Sequence, residues 1–297
     1  MYKVTSRWPH QDSVKIEWNL GKRCNLDCAY CPPEIHDMTS PHTDIDTLKN
    51  TVDILAEFDK PVRISFTGGE PTVHPHFEEL VKHTKSKLSW VNITTNGLRK
   101  PVWYAEAPVD HYVFSLHFDN ESWARALGNI LWFNQQNTQK IPFHVNVMAH
   151  HDHMKRVKEA TARLVGYGIP FALRRIRWTE KHDWFDDMRY DAQDLEWLLS
   201  VNATAKPNCV VDEEELAHAN DIIKTQRNQF EGWKCAAGIE SLMINWDGEV
   251  HRATCRVGGS LGNIYNGSFT RPTEYIDCTR KFCTCAADIP LTKMKND

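Results

Sequence analysis

Near the start of the chain, the apolar residues Val14, Ile16 and Trp18 alternate with charged residues. A period of two is typical of a β-strand with one buried face, so we expect a strand over 13–20. Residues 44–58 instead repeat their apolar side chains every three or four positions. This period predicts an amphipathic helix, so the chain begins with a βα unit.

Strand-like and helix-like segments continue to alternate as far as residue 176. Further strands are predicted at 62–67, 89–94, 111–117, 143–149 and 170–176, and further helices at 76–88, 121–136 and 152–167. Repeated βα units favour parallel strands joined by right-handed crossovers. We therefore expect an open βα barrel of about six strands, with its functional residues at the carboxyl ends of the strands.

Three cysteines, Cys24, Cys28 and Cys31, follow the first predicted strand in a CxxxCxxC pattern. A loop with this spacing can wrap around a cuboidal iron–sulfur cluster. Most four-iron clusters have four cysteine ligands, and the next cysteine is Cys209, so the last iron is expected to bind a small molecule. Zinc is the alternative, but zinc motifs usually add a second ligand pair at short range.

Two more motifs stand at strand ends. The segment 67–71 reads Thr-Gly-Gly-Glu-Pro after the second strand, and 94–97 reads Thr-Thr-Asn-Gly after the third. Taken alone, paired glycines indicate only a tight turn. The order of the cysteine loop, the Gly-Gly-Glu element and the Asn-Gly element makes a functional interpretation the better one.

With these motifs, the sequence resembles the radical S-adenosylmethionine (SAM) superfamily over residues 14 to about 178. The resemblance implies an α/β fold with a partial (βα)6 TIM-like barrel. It implies a four-iron, four-sulfur cluster held by Cys24, Cys28 and Cys31, with SAM bound at the open iron. The expected reaction is reductive cleavage of SAM to a 5'-deoxyadenosyl radical that abstracts hydrogen from a substrate. The electron would come from a flavodoxin or ferredoxin type of donor.

The resemblance also implies residues that contact SAM. Tyr30 is expected against the adenine, and Gly68, Gly69 and Glu70 at the methionine amino group. The further candidates for SAM binding are Asn96, Ser115, Asn146 and one arginine of the stretch 174–177, represented by Arg174. These arginines could equally form a solvated face.

Five cysteines lie within the last 63 residues, namely Cys235, Cys255, Cys278, Cys283 and Cys285. A predicted hairpin with an Asp247-Gly248 turn separates the first two, and a helix-like stretch is expected before the last three. This arrangement resembles the SPASM extension of radical SAM proteins and its shorter form, twitch. Five cysteines favour the short form, with one auxiliary four-iron cluster.

Four ligands are required, so one of the five cysteines is expected to be spare. We assign Cys235, Cys255, Cys283 and Cys285 to the auxiliary cluster, although any two of the last three could serve. Cys278 and Cys209 are then the candidate catalytic thiols, which would donate a hydrogen atom to a substrate radical. A zinc knuckle and inert buried thiols are the alternatives.

Composition and charge restrict the binding partners and the cellular compartment that we expect for the protein. With a net charge of -4 and a pI of about 6.4, the chain has no overall attraction to nucleic acid or membrane. We find no apolar run of membrane-spanning length and no signal peptide, so we expect a cytoplasmic protein. A reducing cytosol favours metal ligation over disulfides for its nine cysteines.

Three segments are predicted: the barrel over 1–178, a connection or lid over 179–229, and the auxiliary domain over 230–297. The histidines at 150, 151 and 153 are interpreted as a polar loop, because adjacent histidines should not face one ion. The glycine-rich segment 258–262 is interpreted as a turn.

The leading substrate hypothesis is a ribosomally made peptide that undergoes epimerisation, cross-linking or dehydrogenation. Only about 13 residues precede the first predicted strand, so leader recognition would need a separate partner or the barrel itself. The same chemistry on a sugar, aminoglycoside or nucleoside is the alternative. A non-catalytic electron carrier or a zinc-binding structural protein is the alternative from another class.

Overall fold

A computed structural model describes residues 3–6, 12–34, 36–176, 178–180, 183–185, 190–201 and 204–295. Arg177, one of the candidate arginines, lies outside these residues. The helices are α1 (Ile45–Ala56), α2 (Phe77–Lys87), α3 (Pro101–Glu106), α4 (Trp123–Gln136), α5 (Met154–Gly166), α6 (Ala192–Ser200) and α7 (Ala219–Lys224).

Seventeen strands are present in the described part of the chain. The first nine are β1 (Lys3–Ser6), β2 (Val14–Asn19), β3 (Val62–Thr67), β4 (Trp90–Thr95), β5 (His111–Leu116), β6 (Phe143–Ala149), β7 (Phe171–Arg175), β8 (Trp178–Glu180) and β9 (Asp183–Phe185). The others are β10 (Cys209–Val211), β11 (Glu215–Ala217), β12 (Lys234–Cys235), β13 (Ser241–Ile244), β14 (Glu249–His251), β15 (Ser260–Asn263), β16 (Ile276–Asp277) and β17 (Lys293–Met294).

Nine strands form the main sheet, in the order β15-β14-β13-β2-β3-β4-β5-β6-β7. All neighbours from β13 to β7 pair in parallel, and β14 and β15 continue the sheet in antiparallel pairing. Helices α1 to α5 connect the six consecutive strands from β2 to β7. The α/β fold with a partial TIM-like barrel is therefore confirmed.

The two faces of the barrel wall differ in polarity. Val14, Ile16 and Trp18 of β2 are fully buried in the main hydrophobic core, which also contains the apolar faces of the helices. Their neighbours Lys15 and Glu17 line a cavity inside the barrel. A closed eight-stranded barrel fills its interior with branched apolar side chains. This barrel instead has a polar interior that can hold a ligand.

A second sheet has the order β11-β10-β1-β17-β12-β16 and is antiparallel throughout. It brings the first described strand beside the last one, through pairing of Val4 with Lys293. It also joins strands from both sides of the boundary predicted between 229 and 230. The division into three segments stays a prediction.

Three expectations about local structure are wrong. Strand β1 precedes the stretch expected to be the first strand, and its partners lie more than 200 residues away in sequence, so no local pattern marks it. Helix α3 was not expected, because it is short, begins at Pro101 and is followed by a second proline at position 108. The helix-like stretch before Cys278 contains β15 instead, since Gly258 and Gly259 adopt positive φ angles of 76° that break a helix.

The described part of the chain contains no helix with the length and apolar character needed to cross a membrane.

Candidate active site

The cysteine loop begins at the carboxyl end of β2 and is held by backbone hydrogen bonds. Cys24 N donates to Asp37 O (2.8 Å), and Glu70 N donates to Arg23 O (2.9 Å). Cys31 N donates to Cys28 O (2.9 Å), which closes a turn between the last two cysteines. The loop is therefore anchored both to its own return segment and to the Gly-Gly-Glu element.

The three thiols of this loop are close enough to influence one another electrostatically. Burial raises the pKa of Cys24 to about 11 and of Cys31 to about 12, and it also raises the pKa of Cys28. Without a cation they remain neutral thiols, whereas iron stabilises the thiolate form. Leu26 N donates to Cys24 Sγ (3.4 Å), a hydrogen bond that suits a metal-bound sulfur. These three residues fit a cluster held by three cysteines.

Gly68 and Gly69 lie directly against the base of the cysteine loop. A Cβ atom on Gly69 would stand 2.3 Å from the carbonyl oxygens of Lys22 and Arg23. A Cβ on Gly68 would stand 2.6 Å from Asn19 Oδ1. Only glycine permits this approach of the two backbones.

Asn19 ends β2 and lines the cavity beside Gly68. Its Oδ1 atom is buried and accepts no hydrogen bond from any residue that the structure describes. An unpaired buried acceptor is costly, so this atom is suited to accept a donor of a bound molecule such as the SAM amino group. The sequence analysis missed Asn19, although its position at a strand end before the cysteines was a usable signal.

The Glu70 carboxylate has another environment than the sequence analysis expected. Oε1 accepts hydrogen bonds from Thr72 N (3.1 Å), Thr72 Oγ1 (2.6 Å) and Thr95 Oγ1 (2.8 Å), and Oε2 accepts one from Asn96 N (2.7 Å). Asn96 in turn donates to Asn25 Oδ1 (2.7 Å) of the cysteine loop. Neither Glu70 nor Asn96 lines the cavity, and their contact with SAM stays a prediction.

Tyr30 forms an aromatic group with two histidines beside the cysteines. Its hydroxyl is hydrogen bonded to His117 Nδ1, and its ring lies 6.0 Å from the His117 ring and 5.6 Å from the His150 ring, measured between centroids. Burial lowers the pKa of His117 to about 4. Asp119, which the sequence analysis missed, accepts from Ala29 N (2.9 Å) and fixes the middle of the cysteine loop.

The interpretation of the His150 segment needs one correction. Ligand atoms of His150, His151 and Asp152 lie within 4.8 Å of one another, so adjacent histidines do face one point. The 3-10 turn over His151–His153 produces this grouping. His150 Nδ1 already accepts from Asp152 N (3.2 Å), so the turn itself accounts for the arrangement.

The cavity inside the barrel has a volume of about 1140 Å³. Its lining includes the predicted SAM-binding residues Gly68, Ser115, Asn146 and Arg174. The volume slightly exceeds the usual range for small-ligand pockets, up to about 1,000 Å³. The cavity can therefore hold SAM and a further molecule.

A belt of hydrogen bonds crosses four neighbouring strands of the cavity wall. His111 Nδ1 is 2.7 Å from Asn92 Oδ1, and Asn92 Nδ2 donates to Ser65 Oγ (2.7 Å). Ser65 also hydrogen bonds with Glu17 on β2. Each side chain faces the cavity at alternate positions of its strand, so the belt follows from the period of two.

Helix α7 completes the wall next to β6. His218 caps this helix through its Nδ1 and packs against His144 with 6.0 Å between ring centroids. Asn220 Nδ2 donates to Asn146 Oδ1 (3.3 Å). The sequence analysis placed these residues in a connection or lid, because a six-residue helix leaves little periodicity to recognise.

Four of the C-terminal cysteines surround a separate pocket of about 10 Å³, namely Cys235, Cys255, Cys278 and Cys283. Cys255 lines this pocket and the large cavity, so the two share a wall. Cys285 lines only the large cavity. Its carbonyl accepts from Asp288 N (3.0 Å) and Ile289 N (3.1 Å), and this turn places Asp288, but not Cys285, in the lining of the pocket.

Cys278 lines the pocket with three other cysteines, and Cys285 lines the cavity. The sequence analysis preferred Cys285 to Cys278 as a ligand but left either possible. Cys209 is fully buried in the apolar core beneath the second sheet. Neither Cys209 nor Cys278 lines the cavity where a substrate would bind.

Lys293 lines the four-cysteine pocket and is only 1% exposed. Its ammonium group donates to the carbonyl oxygens of Asp288 (2.6 Å), Ile289 (3.1 Å) and Leu291 (3.2 Å). Burial opposes its charge, but negative charge on Cys283, Cys235 and Asp288 outweighs burial and raises the pKa of Lys293. A buried cation beside four thiols suits a site that carries negative charge.

Comparisons with known proteins agree with this geometry. A family model described as "Radical SAM superfamily" matches residues 18–175, more than half of the chain. The chain belongs to the radical SAM superfamily and is an enzyme.

Similar proteins cover the chain to different extents. The Fe-coproporphyrin III synthase of Methanosarcina barkeri is 36% identical over 83 residues, which are 28% of this chain and 21% of that protein. The PqqA peptide cyclase of Streptomyces rochei is 23% identical over 226 residues, 72% of this chain and 56% of that protein. The chain therefore spans between a fifth and about half of these relatives.

Among solved structures, anSMEcpe with bound AdoMet and Cp18Cys peptide has the same fold. Its TM-score is 0.58 at 16% sequence identity, and the match covers 86% of this chain and 78% of that one.

Proposed function

We propose that this radical SAM enzyme carries an auxiliary four-iron cluster and modifies a peptide. The observation that carries the proposal is the wall shared by the four-cysteine pocket and the barrel cavity, to which Cys255 contributes. A substrate in the cavity would therefore lie between two iron–sulfur centres, with the SAM-binding centre at Cys24, Cys28 and Cys31. This arrangement is the short, twitch-like form of the auxiliary domain.

Cys24, Cys28 and Cys31 would hold a four-iron cluster, which would supply, once reduced, the electron for cleavage of SAM to the radical that abstracts hydrogen. The residues of this chain bind and orient the reactants. Gly68 and Gly69 allow close backbone approach, and Asn19 Oδ1 accepts a hydrogen bond from SAM. The belt from Glu17 to His111 orients polar groups of the substrate.

For the second centre we propose Cys235, Cys255, Cys278 and Cys283 as ligands. The buried ammonium of Lys293 would balance part of the negative charge that four thiolates bring to the pocket. This set replaces Cys285 of the sequence analysis with Cys278.

A peptide substrate is supported by the similarity to the PqqA peptide cyclase over 72% of this chain. The same chemistry on a small polar molecule is the second candidate, and the hydrogen-bonded belt inside the barrel favours it. Part of the proposal is a cytoplasmic location with a flavodoxin-type or ferredoxin-type electron donor. None of the nine cysteines forms a disulfide, which suits a reducing compartment.

The second cluster is tested by iron and sulfide analysis of anaerobically reconstituted protein. We expect about eight iron atoms per wild-type chain and about four in the Cys24→Ala/Cys28→Ala/Cys31→Ala variant. An iron-free variant that retains zinc would overturn the auxiliary cluster.

The substrate class is tested with peptides encoded beside the gene, added to loaded enzyme with SAM and reductant. A peptide substrate is expected to raise 5'-deoxyadenosine formation and to change in mass. It would lose a pair of hydrogens, or gain deuterium from D₂O after epimerisation. Stimulation by small metabolites and by none of the peptides would favour the second candidate.

A further inference from the structure

The cavity has a positive charge that the rest of the molecule lacks. Its lining contains seven Lys or Arg side chains and three Glu side chains, an excess of four positive charges. One of the seven, Lys224, is paired with Asp221 (3.3 Å), which does not line the cavity, so three positive charges remain. The formal net charge of the whole chain is -4. Two of the three carboxylates are engaged, because Glu17 lies 3.5 Å from Lys15 and Glu240 accepts hydrogen bonds from Thr292. An anionic ligand would compensate this excess.

Arg174 is the clearest of these cations. It lies in β7 and lines the cavity, and its guanidinium group makes no hydrogen bond or ion pair with any residue that the structure describes. The groups close enough to respond to its charge are His117, His144, His218 and Cys285.

The three histidines around Arg174 do not compensate its charge. Burial lowers the pKa of each imidazole, and the positive charge of Arg174 lowers it further. They are therefore neutral at pH 7. A guanidinium group that faces neutral partners in a half-enclosed cavity is suited to bidentate binding of a carboxylate.

Arg280 contributes a second such group from the C-terminal wall. It lines the cavity and the four-cysteine pocket, and its Nη2 donates to Cys255 O (3.2 Å). Within the described chain this is the one hydrogen bond that the guanidinium group makes, and the group has five N–H donors. The remaining donors are available for a ligand that lies next to the second centre.

We propose that Arg174 and Arg280 bind carboxylate groups of the substrate, so that the peptide segment inside the barrel is acidic. The inference rests on the proposed peptide function and narrows it to peptides with Asp or Glu beside the reacting residue. Neutral histidines and the hydrogen-bonded belt would then hold the uncharged part of the same segment.

The experiment is calorimetric binding to anaerobically reconstituted holoenzyme with SAM present. The probes are acetyl-tetraglutamate amide, acetyl-tetraglutamine amide and inorganic phosphate. The variants are Arg174→Gln and Arg280→Gln, and Arg125→Gln on the exposed face of α4 is the control. The affinity for SAM and 5'-deoxyadenosine formation are measured on the same preparations.

We expect tetraglutamate to bind more tightly than tetraglutamine, with an affinity that falls as salt rises. Arg174→Gln and Arg280→Gln should each weaken tetraglutamate binding by about tenfold, and Arg125→Gln should not. The affinity of Arg280→Gln for SAM should stay within about twofold of wild type.

Equal binding of the two peptides by wild type would overturn the proposal. Loss of SAM binding alone in Arg174→Gln would assign this arginine to the SAM carboxylate instead. Binding of phosphate without tetraglutamate would indicate a phosphorylated small substrate and contradict an acidic peptide. Absence of 5'-deoxyadenosine from loaded wild-type enzyme would contradict the proposed radical SAM function. The binding data test the preference for an acidic peptide separately from that function.

Discussion

At the scale of single residues, a close contact between two backbones shapes the site proposed for SAM. Gly69 packs against the carbonyl oxygens of Lys22 and Arg23, where a methyl group would stand at 2.3 Å. Neither carbonyl can move without shifting the loop that carries Cys24. We therefore expect Gly69→Ala to lower the melting temperature and to abolish SAM binding, measured by thermal unfolding and by calorimetry on the loaded protein.

The matched control is Gly128→Ala on the exposed side of α4, where nothing lies within 4 Å of the added methyl group. Alanine is the better helix former by about 0.5–1 kcal/mol, so this variant should be slightly more stable than wild type. If the Gly69→Ala protein bound SAM as well as the Gly128→Ala protein does, the proposed role of the Gly68–Gly69 contact in SAM binding would be contradicted.

Lys293 is the residue on which the C-terminal pocket depends. Replacement by methionine gives a side chain one atom shorter and removes the donor that Lys293 supplies to the buried carbonyl oxygens of Ile289 and Leu291, at a cost of about 1–3 kcal/mol each. The Asp288 carbonyl keeps its hydrogen bond from Leu291 N (3.2 Å). The replacement also removes the cation beside four thiols. In the Cys24→Ala/Cys28→Ala/Cys31→Ala background, we expect Lys293→Met to retain less iron, with Lys82→Met on the surface of α2 as the control. Equal iron content in both variants would show that the cation is not needed.

At the scale of elements, apolar residues that face the core alternate along each barrel strand with polar residues that face the cavity. The apolar positions of β2 were sufficient to predict the strand, and the same holds for the other strands of the barrel. The polar positions were left without a role, although Lys15, Glu17 and Asn19 all line the cavity. Sequence periodicity distinguishes the two faces of a strand. Only the assembled barrel shows that the polar face points into the cavity.

Histidines from β5, β6 and α7 make the protein sensitive to acid. Burial lowers the folded-state pKa of His111 to about 4 and also lowers those of His144 and His218. The unfolded chain therefore binds more protons below its own histidine pKa of about 6.5. Stability should be complete above that pH and fall as pH drops from about 6.5 toward 4.

This prediction is checked by denaturant unfolding at several pH values. A His111→Gln variant should lose part of the pH dependence between about 4 and 6.5, and His83→Gln on the surface should keep it. A stability curve that is flat over this range for the wild type would contradict the neutral histidines.

The features that could be predicted from the sequence are those formed by residues close together in the chain. The loop of Cys24, Cys28 and Cys31 and the glycine pair lie close to strand ends, so local patterns located them. The second sheet joins residues 3–6 with 209–211 and 293–294, and no local pattern records such pairing. The positions of Cys278 and Cys285 depend on this sheet and on the turn before β17, which is why their environments could not be predicted.

At the scale of the whole molecule, the cavity is lined both by Pro32, which directly follows the first group of cysteines, and by Cys255 of the second group. If the second group holds a cluster, removal of one of its four ligands should lower the iron content, and removal of the nearby Cys285 should not. In the background without the first cluster, we expect Cys278→Ala to lose iron and Cys285→Ala to retain it, by iron analysis and electron paramagnetic resonance. The opposite result would restore Cys285 as a ligand.

The central claim is that the loop of Cys24, Cys28 and Cys31 holds the cluster, and Gly68 and Gly69 shape the SAM site, so that the enzyme cleaves SAM to a radical. The most direct test is mass spectrometry of 5'-deoxyadenosine formed from SAM and a reductant by anaerobically reconstituted enzyme. We expect formation by the wild type and none by the Cys24→Ala/Cys28→Ala/Cys31→Ala variant. A wild-type protein with a full complement of iron that forms no 5'-deoxyadenosine, with or without added peptide, would contradict the account.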